Sequence, residues 1–206
     1  MSSSSVLTDE TGLSRADRAL LRLESVMNLL GGVVIFALVV LAVYNVLGRK
    51  FFSAPVPGYV DWTEQFMATF AFLGLAFCQR EGGHIRMDIV VGQLRGRTLW
   101  FAECLSCIFM LLLTTALIYG TWFHFERSFD FAAPLWSRDS SIDIALPLWP
   151  AKLIVPISLA LLWCRLVLQI WGFARAFRRN ERYPVAVPLI EDAFTQANKE
   201  AKTVDG

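Results

Sequence analysis

The stretch Val26–Leu47, reading VMNLLGGVVIFALVVLAVYNVL, decides the fold: it contains no Asp, Glu, Lys or Arg. A hydrocarbon core about 30 Å thick is crossed by roughly 20 predominantly apolar helical residues, which this run supplies. Its apolar residues are contiguous, as in Val33-Val34-Ile35-Phe36, without the alternation a barrel strand needs. Inside lipid every backbone N–H and C=O must find a partner within the protein, so the run is read as a helix.

Three more apolar segments follow it: Gln65–Cys78, Leu99–Phe123 and Leu153–Trp171. The second is shorter, and Thr63 and Gln79 extend it at the interfaces. The chain therefore reads as an all-α integral membrane protein with four transmembrane helices. Composition agrees: 55% of residues are hydrophobic, 18% are charged and the mean hydropathy is +0.50. The net charge of +1 discloses little, and the absence of a basic surface argues against a nucleic-acid partner.

Three regions result. Residues 1–24 form an N-terminal segment carrying Arg15, Arg18 and Arg22, residues 25–173 a four-helix transmembrane domain, and residues 174–206 a tail that begins with Arg175, Arg178, Arg179 and Arg182. Pro184 and Pro188 discourage a continuous helix in that tail. The first apolar run is too long for a signal-peptide core and shows no small-residue cleavage site, so it is expected to remain.

With four spans, both termini and the 80–98 connection share one side. That side holds most of the arginines, and the positive-inside rule places it in the cytoplasm. Trp100 and Trp171 then fall near the inner interface, and Trp122, Trp136 and Trp149 near the outer one.

The most distinctive local run is Arg80-Glu81-Gly82-Gly83-His84-Ile85-Arg86-Met87-Asp88. Gly82-Gly83 ends the second helix, and beyond it Met87, Val90, Val91 and Leu94 repeat at i, i+3, i+4 and i+7. That spacing predicts a short interfacial amphipathic helix over 84–94, either docked on the membrane or serving only as a connector.

Together with Asp61-Trp62-Thr63-Glu64-Gln65, Phe72-Leu73-Gly74 and Tyr44-Asn45-Val46-Leu47-Gly48-Arg49, this run resembles the small membrane (DctQ-like) subunit of tripartite ATP-independent periplasmic (TRAP) transporters. Ala145-Leu146-Pro147-Leu148-Trp149 and Pro156 resemble the same family, and the likeness spans roughly Glu24 to Phe173. It implies a subunit of a secondary transporter in the bacterial inner membrane, multi-pass, with both termini cytoplasmic. The implied partners are a large membrane permease subunit, a periplasmic solute-binding protein and the lipid bilayer. The implied role is to brace the permease for sodium-coupled uptake of an organic acid. No enzymatic activity and no cofactor are implied.

Ionisable residues within apolar runs mark either functional routes or paired structural sites. Glu103 and Arg165 are the two such groups, both in the inner half, and are expected to form a structural ion pair, with a coupling-ion site as the alternative. Arg49 and Glu64, flanking the first outer loop, either pair across it or are solvated separately. Ala71, Gly74 and Cys78 form a small-residue stripe suited to close helix packing, within the chain or against the permease.

Cys104-Leu105-Ser106-Cys107 has a thiol-pair spacing but no accompanying polar ligands, so Cys78, Cys104, Cys107 and Cys164 are expected to be buried free thiols. The alternative function is a membrane anchor subunit of a redox complex holding haem between helices. It is disfavoured because His84 and His124, the two histidines, fall at opposite membrane faces.

Overall fold

The computed structural model describes residues 12–81 and 97–179. Helix α1 covers Gly12–Phe52, α2 Tyr59–Leu73, α3 Leu75–Arg80, α4 Arg97–Ser128 and α5 Trp149–Arg179; a 3-10 turn lies at Pro134–Trp136. Among the described residues there are only isolated β-bridges, Phe129 with Ser137 and Ser140 with Pro147. The described residues are otherwise helical or in turns, and among them three helices, within Gly12–Phe52, Thr98–Ser128 and Trp149–Arg178, are long and apolar enough to cross a membrane. The segment predicted as an amphipathic helix lies outside the described residues.

Helix α1 begins well before the apolar run. Its 41 residues extend about 60 Å, twice the thickness of a bilayer core, so one end must project beyond the hydrocarbon. A single seam runs its length. Leu13, Asp17, Leu20, Glu24, Met27, Gly31, Val34, Leu38, Leu41 and Asn45 are each buried or half-buried, spaced alternately by four and three residues. That 3.5-residue repeat keeps one stripe facing a neighbour, as in a coiled coil. Away from this seam much of the apolar surface, including Leu29, Val33, Phe36 and Val40, is exposed.

At the C-terminus of α1, Ser53 adopts a left-handed conformation (φ 51°), and the Ala54 N–H donates to the Gly48 carbonyl at 3.1 Å. The chain turns through Gly58, at φ 64°, into α2. A β-carbon at Gly58 would lie 2.6 Å from the Ile144 side chain, so both the backbone and the space require glycine here. Helices α2 and α3 are one rod interrupted at Gly74, whose right-handed φ/ψ (−85°, −9°) and carbonyl bond from the Cys78 N–H (2.9 Å) preserve the helical course.

Helix α4 packs against α5 along most of its length. Trp100 stacks on Phe173 at 6.1 Å at one end of this hairpin, and Trp163 Nε1 donates to Thr115 Oγ1 at 3.0 Å midway along it. Pro150 sits in the first turn of α5, where a missing N–H costs little. The main core gathers Ala76, Leu159, Leu161, Leu162 and Leu166, with Leu20 and Met27 of α1 and Met110 of α4 packed on it. The rods alternate in direction: α1 and α4 run one way, α2–α3 and α5 the other. The bundle thus has one end holding Asp17, Arg80 and Trp100 and an opposite end holding Asp61 and Lys152.

Candidate functional site

Four charged side chains meet inside the first of these ends. Asp17 and Glu24 are two helical turns apart on the α1 seam, Arg80 ends α3 and Arg165 lies in α5. Arg80 donates to Asp17 from Nη1 to Oδ1 (2.7 Å) and from Nη2 to Oδ2 (3.0 Å). Arg165 donates from Nη1 to the same Asp17 Oδ1 (2.6 Å), and from Nε and Nη2 to the two Glu24 oxygens, each at 2.6 Å. The order is Arg80–Asp17–Arg165–Glu24, alternating in sign and summing to zero.

Asp17, Glu24 and Arg165 show no exposed side-chain surface and Arg80 shows 2%, so none of the three bridges is a solvated surface contact. Arginine suits this place because its planar fork binds a carboxylate bidentately and stays charged. Beside the chain, Gln79 Nε2 donates to Gln169 Oε1 at 2.7 Å, and Gln169 Nε2 returns a bond to the Gln79 carbonyl at 3.2 Å. These polar bonds pin α1, α3 and α5 together where hydrophobic association between lipid-facing helices supplies little specificity.

Arg165 is therefore paired, but with Glu24 and Asp17 rather than with Glu103. Arg165 and Gln169 are one turn apart on α5, and that face of the helix meets α1 and α3. Glu103 is buried on α4, which packs on another face of α5. Asp17 and Glu24 were missed as site residues because they precede the apolar run; the seam that begins at Leu13 is the signal that places them inside.

Arg49 and Glu64 are both exposed, and among the described residues no ion pair joins them. Asp61, not Glu64, organises that end. It is buried and accepts bonds from the Ser141 hydroxyl (2.5 Å), the Ile144 N–H (3.0 Å) and the Asp143 N–H (3.2 Å). The Ser141 hydroxyl and the two amides hold its carboxyl below the usual aspartate range. Gln65 Nε2 adds a bond to the Pro147 carbonyl at 3.1 Å. Lys152 ties the end of α4 to the start of α5 through Asp139 (2.7 Å) and Ser128.

Gly74 faces α1, where a β-carbon would come 3.6 Å from Asn28 Oδ1, whereas Ala71 and Cys78 of the same stripe are exposed. The four cysteines are free; Cys107 is buried, Cys104 half-buried, and Cys78 and Cys164 are exposed, against the expectation that all are buried. Glu81 is exposed beside Arg80. Gly82, Gly83, His84, Arg86 and Asp88 lie outside the described residues, and His124 is exposed near the end of α4. Among the described residues no group of His, Cys, Asp and Glu is arranged to hold a metal ion.

No curated protein matches the chain. A family model described as the DctQ component of tripartite ATP-independent periplasmic transporters matches residues 38–176, which include Arg80, Arg165 and the Asp61 bracket. With that match over most of the helical bundle, the chain belongs to the DctQ family and is the small membrane subunit of a TRAP transporter.

Proposed function

We infer that this subunit is a four-span scaffold in the bacterial inner membrane, with both termini cytoplasmic. It braces the large permease during sodium-coupled uptake of an organic acid delivered by a periplasmic binding protein. The observation that carries this reading is the closed charge chain. Its four buried ionisable groups satisfy one another, which suits a rigid brace, whereas sodium sites in secondary transporters are typically built from broken helices and backbone carbonyls. Within the α2–Gly74–α3 rod, residues 63–80 extend about 27 Å at helical rise, a length that supports a fourth crossing and leaves Asp61 outside it.

The exposed apolar faces of α1 and α4, among them Phe36, Val40, Phe109 and Leu113, supply surface for lipid and for the permease. The end holding Asp17 and Arg80 is assigned to the cytoplasm because Arg15, Arg18, Arg22, Arg175 and Arg178 cluster there. Affinity purification of the tagged subunit, co-expressed with its permease in gentle detergent, tests the reading. A stable one-to-one complex is expected, and recovery of the chain alone sinks it.

A further inference from the structure

Between α1 and α5, beside the charge chain, lies an open apolar groove of about 470 Å³. Its walls include Ala19, Leu20 and Leu23 of α1 and Trp163, Cys164 and Val167 of α5. It stands where α1 changes from the charge-free run beginning at Val26 to the arginine-bearing turns before it. On the helix surface Ala19 is flanked by Arg15, four residues before it, and Arg22, three after. Both arginines are exposed and form no ion pair among the described residues. On α5 the groove face continues toward the same end through exposed Trp171 and Arg178.

We propose that this groove holds an acyl chain of an anionic phospholipid, with its phosphate on Arg15 and Arg22. The groove is apolar and open along one side from Ala16 to Leu23, a lining that suits a flexible acyl chain. Charge favours an anionic headgroup: two exposed guanidiniums, without an ion pair among the described residues and one turn from groove-lining Ala19, complement a phosphate at the membrane surface, and Trp171 has the amphipathic ring preferred at that depth. A lipid there would cover the exposed side of α1 next to Asp17 and Glu24, whose side chains the protein already buries. The inference rests on the membrane placement given under the proposed function.

The test titrates the delipidated full-length chain, alone and in its permease complex, with phosphatidylglycerol or phosphatidylcholine of identical acyl chains, counting bound lipids by native mass spectrometry. One phosphatidylglycerol is expected to bind at least about fivefold more tightly than phosphatidylcholine, the effect of one surface arginine on an anionic lipid. Ala19→Trp, which fills the slot from an exposed position, should abolish that binding. Arg15→Gln with Arg22→Gln should weaken phosphatidylglycerol about 25-fold and leave phosphatidylcholine nearly unchanged. Equal affinity for the two lipids, unchanged binding in either variant, or equal competition by inorganic phosphate overturns the proposal. So does a photocrosslinker at Leu23 that captures the permease or residues 180–206 in native membranes; capture of lipid supports it. Lipid selectivity that fails while the permease complex stays intact counts against this inference alone, whereas a complex that never forms counts against the scaffold reading.

Discussion

Replacing Arg165 by methionine probes the charge chain most directly. The change removes three hydrogen bonds of 2.6 Å, two to Glu24 and one to Asp17, and leaves a neutral side chain that still fills much of the space. Asp17 keeps both of its bonds from Arg80, so the group left bare is Glu24, fully buried and with no other ion-pair partner among the described residues. Breaking a buried pair by removing one member costs on the order of 3–5 kcal/mol, and Arg165→Met should fall in that range.

Glu24→Gln should cost less, about 2–3 kcal/mol, because Arg165 retains Asp17 and the amide oxygen still accepts one bond. The single changes leave the site with a net charge of −1 and +1, and the double change restores zero. The double variant should therefore recover at least about 2 kcal/mol relative to the sum of the singles. Reversible unfolding of the purified protein in mixed micelles of increasing sodium dodecyl sulfate, followed by tryptophan fluorescence, measures all three. An Arg165→Met cost below about 1 kcal/mol, or strict additivity in the double variant, refutes the argument that these groups compensate each other in a poorly solvated interior. Exposed Arg178→Gln is the control and should change stability by less than about 0.5 kcal/mol.

Further outcomes are expected elsewhere. Gly58→Ala forces a β-carbon into a left-handed position and against Ile144, and should destabilise the protein by about 1–2 kcal/mol in the same unfolding assay. Gly31 lies where a β-carbon would meet that of Leu73 at 3.4 Å, so Gly31→Leu overfills the approach of α1 to α2 and should cost about 1–3 kcal/mol, whereas exposed Gly32→Leu should be tolerated. The depressed pKa of Asp61 means its anchoring of the 141–144 loop is complete above the ordinary aspartate value near 3.9 and is lost as pH falls below it through the folded value. Hydrogen exchange at Asp143 and Ile144, corrected for intrinsic rates, should show pH-independent protection from about pH 5 to 7 that declines in stronger acid. Asp61→Ala should expose both amides at every pH.

Much of this protein is written in its hydropathy. The charge-free run from Val26 to Leu47 and its successors specify helices because lipid leaves backbone groups no other partner, and the runs around Asp61 and Arg80 carry the family. A linear pattern also contains the α1 seam, since a 3.5-residue repeat is legible once it is followed back to Leu13. What hydropathy does not contain is the azimuth and register of one helix against another. Arg165 has carboxylates available on two helices, and its partner depends on which face of α5 meets which helix. In the folded bundle that face meets α1, and a helix twice the bilayer thickness carries Asp17 and Glu24 to the level of Arg165 and Arg80. Asp61 illustrates the same division: it is an ordinary first-turn acid in sequence, and it becomes the anchor of a loop some 80 residues away only because α2 and α5 start side by side. Charges in a low-dielectric interior must be matched three-dimensionally, so the tertiary structure decides which acid each arginine neutralises.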